Sequence, residues 1–293
     1  MLQHHAPSPV PPARVVLLGA QGFVGKSAAA LLGARGVSTL PLGRAEIDLL
    51  APNAAEALRC LLKPDDALLV VSAKAPCKDT GMLLDNIRMI QTVCAALSAA
   101  PVAHVVYISS DAVYRDSDKP LNEASCAEPG SLHGAMHLAR EVMLKSVVQA
   151  PLAVLRPSLL YGVDDPHNGY GPNRFRRLAA KGEEIVLFGD GEERRDHVLI
   201  DDVAELIYRT LVHRSAGTLN IATGEVHSFR AIAERIAAIG QAPVAVRGTP
   251  RVGAMPHNGY RPFDPAGTGA AFADFRYTPL MDGLAKVWAA ATT

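Results

Sequence analysis

The stretch that most constrains this chain is a short apolar run that breaks on glycine and restarts as a helix. Arg14–Gly19 (RVVLLG) reads as a β-strand and Gly25–Gly33 as a helix rich in alanine and leucine. Between them lies Gly19-Ala20-Gln21-Gly22-Phe23-Val24-Gly25, a G-x-x-G-x-x-G spacing set directly at a strand-to-helix junction. The first glycine permits a tight turn, the second lets backbone N–H groups approach an anion, and the third lets helix and strand pack closely. The helix N-terminus adds a partial positive charge, so the junction is a seat for a pyrophosphate. Gly19, Gln21, Gly22, Phe23, Val24 and Gly25 are therefore expected to touch a dinucleotide.

The rest of the chain supports that placement. Strand candidates follow at Val37–Leu42, Ala67–Ser72, Val102–Ser109 and Leu152–Arg156, separated by helical stretches at Ala54–Leu62, Leu83–Ala99 and Leu132–Gln149. Apolar strands alternating with helices of this length predict βαβ units and a parallel sheet covered on both faces. The fold class is α/β, a Rossmann-type doubly wound parallel sheet with a small C-terminal substrate-binding lobe. After Tyr161 the texture changes: Gly162–Asn173 is rich in Gly, Pro, Asp and Asn, as in a surface loop. Helix Arg174–Lys181, strand Glu184–Phe188, helix Asp201–Val212, strand Gly217–Ile221 and helix Ser228–Ile239, N-capped by Ser228, come next. The expected division is a flexible tail at 1–13 and a nucleotide-binding domain at 14–165, completed by about 198–225. The lobe takes 166–197 and 226–293. His4 and His5 read as tail composition.

Composition narrows the class. Lys plus Arg and Asp plus Glu are 29 each, a formal net charge of zero, which argues against a nucleic-acid binder. With 49% apolar and 20% charged residues, wholesale disorder is excluded. No apolar run approaches the ~18 residues of a membrane-crossing helix. Cys60, Cys77, Cys94 and Cys126 are scattered without C-x-x-C spacing, as expected of reduced thiols in a cytoplasmic protein and not of a zinc site. No metal is expected.

The second strand decides between the two nicotinamide dinucleotides. A carboxylate at its tip would accept from a ribose 2′-hydroxyl. Here the strand ends Leu42-Gly43-Arg44, with no acid, and Arg44 suits a 2′-phosphate. The sequence thus favours NADP(H) over NAD(H). Asp48 and Leu49 are placed for the adenine, although Asp48 equally suits a cap of the following helix.

Further along stand YISSDAVY (Tyr107–Tyr114), LRPSLLYG (Leu155–Gly162), IVLFGDGEERRDHVLIDDVA (Ile185–Ala204) and LNIATGE (Leu219–Glu225). With GAQGFVG these motifs, in this order, resemble the extended short-chain dehydrogenase/reductase family of sugar-nucleotide epimerases, dehydratases and reductases. The resemblance runs from Arg14 to the C-terminus. It implies an NAD(P)-dependent oxidoreductase, epimerase or dehydratase whose substrate is a nucleotide-activated sugar or a similar hydroxy or keto compound. By the same resemblance Ser110 bonds the substrate oxygen and Asp111 acts as a proton donor. Ser109, Ala73, Ala75, Asn86, Pro157 and Ser158 line the cofactor. Arg195 holds the substrate diphosphate, with Asn173, Arg174 and Arg261 as further substrate contacts. Many relatives pair through the two helices beside the site, so a homodimer is allowed.

The chain departs from the family where the chemistry should sit. The catalytic Tyr-x-x-x-Lys is replaced in register by His133-x-x-x-His137, with Gly134 and Glu141 in their family places. One reading makes His133 the general acid/base, since imidazole titrates near neutrality without a helper cation, and gives His137 the ribose hydroxyls. A second makes the protein a catalytically inactive NADP-binding regulatory or scaffold protein. A third, a metal on the His133–His137–Glu141 stripe, is disfavoured because Glu141 already belongs to the family pattern. The first reading predicts a site charge that titrates between roughly pH 5 and 8.

Overall fold

The structure is a computed structural model describing residues 2–240 and 243–292; Met1, Gln241, Ala242 and Thr293 lie outside the described residues. The strands are β1 (Gln3–His4), β2 (Arg14–Leu18), β3 (Thr39–Leu42), β4 (Asp66–Val70), β5 (His104–Ile108), β6 (Leu152–Pro157), β7 (Leu159–Tyr161), β8 (Ile185–Phe188), β9 (Arg194–Arg195), β10 (His197–Leu199) and β11 (Ser215–Ile221). The helices are α1 (Phe23–Ala34), α2 (Ala54–Leu61), α3 (Thr80–Ala99), α4 (Leu132–Val147), α5 (Pro172–Ala180), α6 (Ile200–Val212), α7 (Phe229–Ile239), α8 (Ala266–Ala271) and α9 (Leu280–Thr292).

Seven strands make one sheet in the order β1-β11-β6-β5-β4-β2-β3. Every pair is parallel except β1 with β11. The continuous apolar runs of β2, β4 and β5 arise because both faces are covered. Val15, Leu17, Leu69 and Val106 face α1 and α6, while Val16, Leu18, Leu68 and Val105 face α2, α3 and α4. The chain leaves β2 for β3 on one side, then crosses back through α2 to β4 on the other. That reversal opens a crevice beyond the carboxyl ends of β2 and β4, the usual ligand position in such sheets.

A second core lies beyond β7. Phe175 of α5, Ile185 and Leu187 of β8, Phe229 and Ile232 of α7, and Leu284 and Val287 of α9 enclose Tyr161. Ser228 caps α7 through its Oγ, which accepts the Ala231 N–H. The lobe is not continuous to the C-terminus, however. Phe272 and Phe275 pack with α1 and α6 against the sheet, so part of 226–293 belongs to the nucleotide-binding core.

The N-terminal segment also differs from its reading as a flexible tail. Gln3 and His4 pair with Ala216 and Ser215. The Ala6 and Val10 N–H groups donate to the His213 and Val212 carbonyls. His4 bonds Ser215 Oγ and the Ala271 carbonyl, both at 2.8 Å, and its ring stacks on His213. The prolines of this segment donate nothing, but Ala6 and Val10 beside them do, and β11 offers an edge that needs partners.

Candidate active site

At the phosphate end the glycines are fixed by contact. Gly19 has φ +92°, and a Cβ there would lie 2.6 Å from the Ser72 nitrogen. A Cβ on Gly25 would lie 2.1 Å from the Gly19 carbonyl oxygen, so Gly25 sits under the loop and does not line the cleft. Gly22 is the N-cap of α1 and brings no side-chain oxygen to the first-turn N–H groups. Those donors are open to an external anion, and a pyrophosphate fits them.

The cleft has a volume of about 850 Å³. Gly19, Gln21, Gly22, Phe23 and Val24 wall its phosphate end, and Arg44, Asp48, Leu49, Ala73 and Ala75 continue the wall. Arg44 is well exposed and pairs with Asp48 at 3.4 Å. Asp48 caps no helix; its Oδ1 accepts the Leu50 N–H, which with Arg44 holds its carboxyl below the usual carboxylate range. Asn86 does not reach the cleft. It is buried on α3, where its amide bonds both backbone groups of Lys74 and so braces the wall from behind.

Ser109, Ser110, Asp111, His133, His137, Pro157 and Ser158 line the other end. The Ser109 hydroxyl turns away, donating to Glu141 at 2.6 Å. Ser110 Oγ accepts the Ala112 N–H and donates to Asp111 Oδ1 at 3.3 Å. The Ser158 hydroxyl donates to Asp196. Gly134 explains how α4 comes so near: a Cβ there would lie 1.9 Å from the Ala112 carbonyl oxygen. That contact sets His133, one residue earlier, against the turn carrying Asp111.

His133 and His137 stand one turn apart on α4, their rings edge to face at 4.8 Å. His133 Nδ1 accepts the Cys77 N–H at 3.4 Å. His137 Nδ1 shares one proton with Tyr107 Oη at 2.8 Å. Burial pushes His133 below its ordinary value, with Asp111 opposing. Burial pushes His137 further down, aided by His133 and Arg140. Both rings are neutral at pH 7, which moves the titration expected around neutrality to the acid side. Glu141 belongs to neither ring: Arg156 grips it with bonds of 2.8 and 2.6 Å. Burial raises the Glu141 carboxyl while Arg156 lowers it, and the net direction is down.

On the substrate side, Arg195 and Asn173 line the cleft, Arg195 paired with Glu193 at 3.2 Å and Asn173 accepting the Gly162 N–H. Two expected contacts are corrected. Arg174 lies on the exposed side of α5, one residue round from buried Asn173 and Phe175. Arg261 is 1% exposed and outside the cleft. Its guanidinium is taken by Asp111 Oδ2 at 3.0 Å, the Asp111 carbonyl at 2.7 Å and Asp116 at 2.7 Å.

Among the lining residues that the sequence does not single out are His197 and His257. His197 lay in plain view inside the RDHVLIDD run; its Nδ1 bonds the Arg195 carbonyl and burial pushes it down to about 3. His257 gave no signal, because a left-handed backbone at His257 and Asn258 (φ 52° and 53°) delivers it to Asp116, 141 residues away.

A doubly wound parallel sheet, an open helix N-terminus under a glycine loop, and a cleft closed by a lobe define a Rossmann-type dinucleotide-binding protein. The chain belongs to the NAD dependent epimerase/dehydratase family, whose profile matches residues 15–222. It is 35% identical over 124 residues to the dTDP-L-rhamnose 4-epimerase of Burkholderia thailandensis, a match spanning 39% of this chain and about a third (34%) of that protein. Two solved structures share the fold: MoeE5 in complex with UDP-glucose and NAD, and the UDP-glucose 4-epimerase of Thermus thermophilus in complex with NAD. The first has a TM-score of 0.81 at 22% identity, covering 95% of this chain and 99% of that one. The second has a TM-score of 0.81 at 21% identity, with the same coverage of 95% and 99%. Among the described residues no helix is long and apolar enough to cross a membrane.

Proposed function

We propose that the chain is an NAD(P)-dependent oxidoreductase, epimerase or dehydratase of a nucleotide-activated sugar or similar hydroxy or keto substrate. His133 stands in it where the family tyrosine would. The observation that carries this reading is one continuous cleft running from an open phosphate cradle to Ser110, Asp111 and His133. A bound nicotinamide would supply the hydride acceptor or donor. Ser110 and His133 address the reacting oxygen, His137 lies where ribose hydroxyls would be held, and Arg195 suits the diphosphate as a planar guanidinium does. The Ser110-Asp111 pair favours the reductase or dehydratase branches. Exposed Arg44 supports NADP(H) over NAD(H). Four unpaired thiols, two of them exposed, fit a cytoplasmic protein. Leu84 on α3 and Val142 on α4, 56% and 59% exposed, support a homodimer through those helices. The zero net charge speaks against a nucleic-acid partner.

The rival reading is a catalytically inactive NADP-binding regulatory or scaffold protein. It draws on one observation: His137, where the family lysine would stand, is tied to buried Tyr107. Calorimetric binding of NADPH and NADH, followed by turnover on UDP- and dTDP-sugars, separates the two. An enzyme binds NADPH and turns over at least one sugar nucleotide. Binding without turnover supports the scaffold, and no binding up to millimolar dinucleotide defeats both.

A further inference from the structure

The two nitrogens of His133 are used differently, and that separates the roles of the polar groups around it. A backbone N–H can only donate, and the Cys77 N–H meets Nδ1. Nδ1 therefore offers its lone pair, and the single proton of the neutral ring sits on Nε2. The loop that carries the donor is anchored three and five residues before it. Buried Arg140 grips the Ser72 carbonyl at 2.6 Å, and Asn86 bonds the Lys74 N–H and carbonyl at 2.9 and 3.0 Å. A proton arriving at Nδ1 would face the Cys77 N–H donor to donor. Asp111 has the opposite character. Arg261 bonds one of its oxygens at 3.0 Å and the Ser110 hydroxyl the other at 3.3 Å, which leaves an acceptor carboxylate in the cleft.

We propose that His133 is a fixed Nε2–H hydrogen-bond donor to the substrate oxygen and that the proton of the reaction moves on Asp111, with Cys77, Asn86 and Arg140 as positioning groups. This rests on the functional reading above. In the oxidative direction the substrate O–H bond breaks and its proton passes to an Asp111 carboxylate oxygen. The adjacent C–H bond breaks with its electron pair, which leaves as hydride to the oxidised nicotinamide. A C=O bond forms, its oxygen held by the His133 Nε2–H, and the reductive direction reverses each transfer.

Long-range proton–nitrogen spectra of the full chain labelled with nitrogen-15 histidine, at pH 7, resolve the ring tautomers without any turnover. His133, assigned by its loss in His133→Gln, is expected with a bare Nδ1 and a protonated Nε2. An Nδ1–H ring or an imidazolium overturns the proposal. Asn86→Ala, outside the cleft, is expected to give a mixture of tautomers, and an unchanged single tautomer would remove Asn86 from the positioning groups.

The kinetic arm uses UDP-glucose with NAD+ or NADP+, then the other sugar nucleotides. His133→Gln, which can donate but not take a proton, should keep kcat within about tenfold of wild type, whereas Asp111→Asn should lose about 10²–10⁴ with NADPH affinity unchanged. The reverse ranking overturns the proposal. Arg261 keeps Asp116 when Asp111 is replaced, and Asp111→Ser serves if the asparagine variant unfolds. If the wild type turns over no sugar nucleotide, the functional reading fails, and the tautomer spectrum still decides the His133 assignment.

Discussion

The two ends of the cleft are built from different materials. The phosphate end is backbone: the first-turn N–H groups of α1 stay open beyond its N-cap Gly22, and Gly19 and Gly25 leave no room for a side chain. The other end is side chain upon side chain, with Asp111 on Arg261, His133 on the Cys77 loop and His137 on Tyr107. A backbone site tolerates almost no substitution, because a Cβ 2.1 Å from a carbonyl oxygen has nowhere to go. A side-chain site can exchange its members while the frame stands, and the proposed reading takes His133 and His137 as two members exchanged together.

The largest expected effect sharpens that contrast within α4 itself. Glu141 neutralises Arg156, which is 5% exposed on β6. Glu141→Ala should cost about 3–5 kcal/mol in urea unfolding, because a buried guanidinium loses its carboxylate. His133→Gln, two turns earlier, should cost under about 1 kcal/mol. Equal losses would mean that the polar stripe of α4 is structural throughout.

The next effect asks whether a neutral buried histidine is peculiar to the His133–His137 end of the cleft. His104 opens β5 at the opposite end of the sheet, 2% exposed, with Nε2 2.7 Å from the Ser215 carbonyl. Burial pushes it down to about 4. Its folded pKa lies below that of the unfolded chain, so stability is full above about pH 6.5. It falls between there and about pH 4 by roughly 3 kcal/mol. Urea unfolding of wild type against His104→Gln as a function of pH should show this loss in the wild type alone. Parallel pH curves would remove His104 as the cause.

The smallest effect tests whether the phosphate end is backbone all the way out to the adenine. Arg44→Ala should weaken NADPH binding about tenfold and leave NADH unchanged, since only the former carries a phosphate for the guanidinium. Equal loss of both would return Arg44 to the role of a loop cation.

The sheet and the glycine loop were legible in the sequence because their causes are local. Buried parallel strands must be continuously apolar, as Ala67–Val70 are, and a strand-to-helix anion seat needs glycines at set spacing. Arg261 and the first residues depart from their sequence reading because their partners are far along the chain, whereas Asn86 turns back on Lys74 and Met82 close by. Arg261 belongs to Asp111, 150 positions away, and β1 belongs to β11. The His133-x-x-x-His137 spacing is legible as letters, but the Cys77 N–H that meets His133 Nδ1 is not revealed by sequence spacing.

The docking of β1 has a consequence for handling the protein. β11 is the last parallel strand of the sheet, and residues 3–4 occupy part of its outer edge. Removing or displacing them bares the Ser215 and Ala216 backbone, a template onto which another chain can add a strand. N-terminal trimming, or a fusion that pulls this segment away, therefore trades a closed rim for a sticky one, and self-association would begin there, at the side of the molecule away from its chemistry.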